Sequence, residues 1–85
     1  MGICGSYGLD SANGLMIELV LEQCTKLGAE VITWDNRANP LPFVGEDGCW
    51  DNENVKLYKD MANSADAFIL SSPEYHGTMS GVMKN

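Results

Sequence analysis

The chain has 85 residues, of which 45% are hydrophobic and 20% are charged, and its formal net charge is −7. This length allows one small domain with a modest core. The five Lys and Arg residues are scattered, which argues against nucleic-acid binding, and no apolar run is long enough to cross a membrane. The first residues lack the basic and apolar regions of a signal peptide, so we expect a cytoplasmic protein.

The cysteines do not form a recognisable framework. Cys4, Cys24 and Cys49 are odd in number and widely separated, and the chain has a single histidine. We therefore expect three reduced thiols, with neither a disulfide nor a metal site.

The first three predicted elements form a strand, helix, strand unit. Residues 1–4 (MGIC) predict a short strand. Residues 15–28 predict a helix that ends at Gly28, because apolar residues recur at three- and four-residue spacing. The following segment, 29–35 (AEVITWD), is typical of a strand. The apolar face predicted for the helix comprises Leu15, Met16, Leu19, Val20, Cys24 and Leu27.

A long connection separates this unit from the remaining elements. Residues 36–54 contain two prolines and several Gly, Asn and Asp residues, and we expect Leu41, Phe43 and Trp50 to pack against the domain. Residues 55–65 predict a second helix, and 66–72 (DAFILSS) predict a third, buried strand. The apolar face predicted for the second helix comprises Val55, Tyr58, Met61 and Ala62.

Alternating strands and helices predict an α/β fold with a parallel sheet. Right-handed crossovers place the first strand between the other two, in the order 2-1-3. Ligands of such sheets bind at the carboxyl ends of the strands where the connections diverge, here above strands one and three. The third strand would be left with an open edge, which favours association with another chain.

The loop after strand one, GSYGLDSAN, predicts an anion site. Gly5 and Gly8 permit close backbone approach, while Ser6, Ser11 and Asn13 offer polar side chains beside the start of a helix. These features suit a phosphate, although a glycine turn in which Ser11 only caps the helix explains the same residues equally well.

The loop after strand three, SSPEYHGTMSG, carries more chemistry than a turn needs. Pro73 ends the strand and Gly77 lets the backbone reverse, so that Glu74, Tyr75 and His76 form a rim. Tyr75 and the backbone N–H groups of this rim suit a planar heterocyclic ring. The alternative is that Tyr75 covers the sheet edge and His76 is a solvated loop residue.

Both loops resemble the motifs of one family. GSYGLDSAN resembles the pattern G-S-x-R-x-x-S-x-N. The segment ADAFILSSPEYHGTMSGVMKN resembles A-D-x-(apolar)-P-E-Y-N-G-x-x-x-G-x-(L/M)-K-N of the flavodoxin-like NADPH-dependent FMN reductases, which include quinone, azo-dye and chromate reductases. NPLPFVGED is similar to their proline-rich loop. The resemblance runs in order along essentially the whole chain.

The resemblance implies an enzyme that binds FMN across the two loops. Ser6, Ser11 and Asn13 would take the phosphate. The residues lining the ribityl chain and the ring edge, mostly through backbone groups, would be Pro73, Glu74, Tyr75, His76 and Gly77. Bound FMN would accept hydride from NAD(P)H and pass electrons to a flavin, quinone or similar small molecule, so that no side chain needs to be catalytic.

The sequence departs from the family pattern in three respects. Gly8 stands where the family usually has an arginine on the phosphate, and His76 replaces the commoner asparagine. The family fold has five strands, so residues 1–85 correspond to its N-terminal half as a partial flavodoxin-like domain. We accordingly expect a homo-oligomer or pairing with a complementary fragment. The alternative functions are a non-catalytic flavin-binding or partner-binding half domain, or an acidic α/β fragment without a ligand.

Overall fold

Three parallel strands form the sheet at the centre of the protein, which a computed structural model describes from Met1 to Asn85. The strands are β1 (Gly2–Cys4), β2 (Thr33–Trp34) and β3 (Ile69–Ser71), in the order β2-β1-β3. The predicted parallel sheet and its 2-1-3 order are therefore confirmed.

The strands are shorter than the sequence predicts because the central strand limits the pairing. Gly2 pairs with Thr33 on one side and with Ile69 on the other, and Cys4 pairs with Ser71. Both outer strands pair only with β1, so they can be no longer than its three residues.

The first helix, α1 (Ala12–Lys26), begins three residues before the predicted start. Ser11 is its N-cap, since the Ser11 hydroxyl oxygen accepts a hydrogen bond from the Gly14 N–H at 3.1 Å. Gly28, with φ of 95°, follows the helix as predicted. Its N–H donates to the Thr25 carbonyl, and the Ala29 N–H donates to the Cys24 carbonyl, both at 3.0 Å, which satisfies the last turn.

The apolar face predicted for α1 is wrong. Ile17 and Leu21 are the buried apolar residues of the helix, and with Cys4 they form the core between α1 and the sheet. Five of the six predicted residues are exposed, namely Leu15, Met16, Leu19, Val20 and Leu27. Residues 15–17 and 19–21 are all apolar, so the periodicity did not specify which side of the helix meets the sheet.

The second helix, α2 (Glu53–Ser64), lies on the other face of the sheet, where Val55 and Tyr58 share a cavity with Ile3 and Trp34. Its predicted apolar face is confirmed, because Val55, Tyr58, Met61 and Ala62 are all half-buried. Tyr58 packs edge-on against the buried Trp34, with the ring centroids 5.1 Å apart, and this burial raises the pKa of the Tyr58 hydroxyl.

The connection between β2 and α2 packs differently from the prediction. Leu41 is half-buried as expected, but Phe43 is 69% exposed and Trp50 is 61% exposed. Trp50 lies at the surface beneath the Lys59 ammonium group, 5.2 Å from the ring centroid. A short 3₁₀ helix, Cys49–Asp51, instead turns Cys49 into the interior.

The chain after β3 forms a hairpin and one helical turn. The hairpin strands are β4 (Glu74–Tyr75) and β5 (Thr78–Met79), and the final turn is α3 (Gly81–Lys84). The sequence predicted the reversal at Gly77 but not the two short strands that flank it. None of the helices is long and apolar enough to cross a membrane, and all three cysteines are free thiols.

Candidate functional site

The two loops singled out in the sequence meet at one edge of the sheet. They follow β1 and β3, which are parallel neighbours, so both begin at the same end of the strands. The Gly5 N–H donates to the Ser71 carbonyl at 2.6 Å. The predicted placement of the loops at adjacent carboxyl ends is thus confirmed.

Ser80 joins the second loop to the first, and the sequence-based reasoning missed it. Its side chain is buried, and its hydroxyl donates to the Gly5 carbonyl at 2.5 Å. The same oxygen accepts from the Met83 N–H at 3.1 Å, which makes Ser80 the N-cap of α3. The serine before the short run Gly-Val-Met-Lys was the available signal, as serine is favoured at N-caps.

Position 5 requires glycine, because the two loops approach each other closely there. A Cβ at this position would lie 2.8 Å from the Ser72 hydroxyl oxygen and 3.0 Å from both the Ser72 Cα and the Met83 Cβ. The close approach that the sequence predicts for Gly5 therefore occurs between protein segments. The main chain at Gly5 is held from both sides by the segment from Ser71 to Met83.

The three predicted phosphate-binding side chains lie along the first loop and the start of α1. Ser6 is half-buried in the loop. Ser11 caps α1, and its hydroxyl retains a proton that it can donate. The Asn13 side-chain oxygen accepts from the Ser71 hydroxyl at 2.8 Å, which fixes the side chain and leaves its amide group as a donor.

The start of α1 adds main-chain donors to this set. The Gly14 N–H donates to the Ser11 side chain. The N–H groups of Ala12 and Asn13 lie in the first turn of α1, where no carbonyl of the helix precedes them as an acceptor. The helix dipole makes this end electropositive. Hydroxyl, amide and N–H donors at one loop form a set that suits a phosphate group.

Arg37 brings a positive charge to the same loop. It lies in the connection after β2, and its guanidinium group pairs with Asp10, with Nη2 3.0 Å from Oδ1 and Nη1 3.3 Å from Oδ2. The hydrogen bond and charge of Arg37 lower the pKa of the Asp10 carboxyl below its ordinary value of 3.8. No local pattern in the sequence indicated this contact, because 27 residues separate its partners.

The remaining predicted residues form the exposed hairpin. Its turn is made by His76 and Gly77, with φ of 52° and 78°, and positive φ at both central residues is the pattern of a type I′ turn. The reversal predicted at Gly77 is confirmed. Pro73 is half-buried at the base of the hairpin, whereas Glu74, Tyr75 and His76 are exposed. The exposure of His76 agrees with the alternative of a solvated loop residue.

One apolar cavity lies away from these loops. It has a volume of about 250 Å³ on the α2 side of the sheet, and its walls include Trp34, Leu41, Tyr58 and Met83. None of the eight predicted site residues lines it. The candidate site is therefore assigned to the loops, which carry the predicted residues and most of the hydrogen-bond donors that suit a phosphate.

Fold and loops together define a flavodoxin-like α/β protein whose candidate site lies at the carboxyl ends of its parallel strands. Residues 1–85 match the family model described as NADPH-dependent FMN reductase. The chain belongs to this family.

Individual relatives support the same assignment. An FMN-dependent NADPH-azoreductase of Staphylococcus aureus is 43% identical over 88 residues, covering 98% of this chain and 47% of the relative. An NAD(P)H:quinone oxidoreductase of Solanum tuberosum is 31% identical over 90 residues, covering 99% of this chain and 45% of the relative. The chain therefore spans about half the length of these curated relatives. No solved structure matches the chain significantly.

Proposed function

We propose that residues 1–85 form the FMN-binding N-terminal half of a flavodoxin-like domain in an NAD(P)H-dependent oxidoreductase. The observation that carries this proposal is the meeting of two motif-bearing loops, one rich in hydrogen-bond donors, at neighbouring strand ends. Membership in the NADPH-dependent FMN reductase family supports it.

In this proposal, the first loop binds the phosphate of FMN. Ser6 and Ser11 donate through their hydroxyl groups, Asn13 donates through its amide, and the first N–H groups of α1 complete the set. The hydrogen bond from Ser71 to Asn13 orients that amide before a ligand arrives, which lowers the entropic cost of binding.

The second loop binds the flavin ring and the ribityl chain. Pro73 and Glu74 lie where the chain leaves the sheet, and Tyr75, His76 and Gly77 offer an aromatic ring and main-chain groups. Bound FMN supplies the hydride and electron-transfer chemistry. The residues of this chain bind and orient the cofactor, and none of them acts as an acid, base or nucleophile.

Comparison of FMN with riboflavin tests the phosphate site. Loss of two or three hydrogen bonds, at about 1 kcal/mol each, should make riboflavin bind distinctly more weakly in a fluorescence titration. Ser6→Ala should weaken FMN binding but leave riboflavin binding unchanged. Ser64→Ala, which removes an exposed hydroxyl at the end of α2, serves as the matched control. Equal affinities for FMN and riboflavin would reject the phosphate site.

We further propose that the electrons pass from NAD(P)H through FMN to a small flavin, quinone or azo acceptor in the cytoplasm. The azoreductase and quinone oxidoreductase names of the relatives support this acceptor class. Anaerobic addition of NADPH to the FMN-loaded chain should bleach the flavin absorption. If the colour persists while FMN stays bound, the alternative of a non-catalytic flavin-binding or partner-binding half domain is favoured.

Association with a second copy or a complementary fragment completes the proposal. β3 is paired on one side only, Leu70 on this strand is exposed, and the outer face of α1 is apolar. Sedimentation at several concentrations should detect association, and Leu70→Lys should weaken it. Phe43→Lys, at an exposed position in the connection after β2, is the control. A compact wild-type monomer at every concentration would contradict this part of the proposal.

A further inference from the structure

Arg37 is the one basic residue that contacts the proposed phosphate loop. Its guanidinium group lies directly against Gly8, where a Cβ would fall 2.7 Å from the Arg37 Cζ. The four lysines are on the helices. Lys26 pairs with Glu22 in the last turn of α1, Lys56 pairs with Glu53, Lys59 lies on Trp50, and Lys84 is in α3.

Two aspartates hold Arg37 in this position from different directions. The Asp35 carboxylate accepts from the main-chain N–H groups of Arg37 and Ala38, at 2.8 and 3.4 Å, and thereby fixes the turn after β2. Asp10 holds the guanidinium through two of its N–H groups. Because a guanidinium carries five N–H donors, three remain for another acceptor.

Gly8 makes this arrangement possible. It is buried although it lies in a surface loop, and a side chain at this position would collide with the guanidinium. The sequence motif lacks a cation at Gly8, but the fold places one at that point from a distant loop. Arginine is suited to such a position because its planar donors match the oxygens of a phosphate.

We infer that Arg37 binds the FMN phosphate and replaces the cation that the first loop itself lacks. This inference rests on the proposed function. Arg37 is a binding residue that selects phosphorylated flavin over riboflavin.

The experiment compares Arg37→Gln with Lys26→Gln, which removes the same charge at the other end of α1. Flavin fluorescence gives the dissociation constants of FMN and riboflavin at low and high ionic strength. Arg37→Gln should weaken FMN binding about tenfold, or about 1.4 kcal/mol. It should leave riboflavin binding unchanged, and its effect should shrink at high ionic strength. Lys26→Gln should change neither affinity. The Arg37 side chain is 57% exposed, so its replacement should leave the fold intact.

A double-mutant cycle with Gly8→Ala distinguishes the contribution of the guanidinium to FMN affinity from that of the loop backbone. The added methyl group should displace Arg37 and weaken FMN binding in the wild-type background. In the Arg37→Gln background, the same change should have little further effect, since the guanidinium is gone and the exposed Asp10 carboxylate, which a Cβ would also meet, is free to turn away. If the losses of FMN affinity caused by Gly8→Ala and Arg37→Gln simply add in the double variant, the inference is overturned.

The outcomes distinguish this inference from the proposed function. If wild type prefers FMN to riboflavin and Arg37→Gln retains the whole preference, Arg37 is not a phosphate ligand and the proposed function stands. If wild type binds both flavins equally, or neither, the phosphate site and the inference both fail.

Discussion

Ser80→Ala is the substitution that most directly tests how the two loops are joined. Ser80 is 2% exposed, and its hydroxyl contacts the Gly5 carbonyl and the Met83 N–H. Removal leaves a buried carbonyl unsatisfied, which costs about 1 to 3 kcal/mol. Loss of the N-cap costs about 1 kcal/mol more. We expect the free energy of unfolding to fall by about 2 to 4 kcal/mol, a large share of the stability of a small domain.

Urea denaturation followed by circular dichroism measures this loss. The slope of the free energy of unfolding against urea concentration should be unchanged, because the same surface is exposed on unfolding. Ser64→Ala is the control, since Ser64 is exposed and its hydroxyl contacts only the Met61 carbonyl of its own helix. A decrease for Ser80→Ala of less than about 0.5 kcal/mol, the range of ordinary surface changes, would refute the role assigned to Ser80.

Three further predictions concern the same loops. Gly14→Ala should destabilise the protein in thermal melts despite the higher helix propensity of alanine, because the added Cβ would collide with the Leu9 carbonyl; a higher melting temperature would contradict this contact. His76→Asn should raise the melting temperature slightly and preserve FMN binding, since asparagine tolerates positive φ well and the turn is proposed to act through its backbone; loss of FMN binding would instead assign a role to the imidazole. The Asp10 carboxyl should titrate below 3.8 in NMR spectra, and Arg37→Gln should return its pKa toward that value. Because the folded pKa is lowered, the stabilisation from this pair is present above pH 3.8 and is lost as the pH falls through the folded pKa, so a pKa unaffected by Arg37→Gln would refute the pairing.

Local signals in the sequence predicted the order of the elements and their pairing. The strand, helix, strand pattern and the handedness of crossovers were enough for the 2-1-3 sheet, and Gly28 marked the end of α1. The ends of β2 and β3 could not be predicted in this way, because they depend on the length of β1. The buried face of α1 could not be predicted either, because the helix has apolar residues on more than one side.

The site was predictable in its location but not in its internal contacts. The glycine, serine and proline patterns identified both loops and the reversal at Gly77. Ser80 and Arg37 were missed because their importance arises from partners 75 and 27 residues away. Such contacts form only when the sheet brings distant loops together, and no periodic pattern records them.

The two hydrogen bonds of Gly5 have a consequence for ligand length. Its N–H is bound by Ser71 and its carbonyl by Ser80, so a single peptide segment sets the spacing between the first loop and the base of the hairpin. The distance between the two loops is therefore fixed, and a ligand that contacts both of them must have a matching length. We expect flavins with a shortened or lengthened chain between ring and phosphate to engage one loop at the expense of the other.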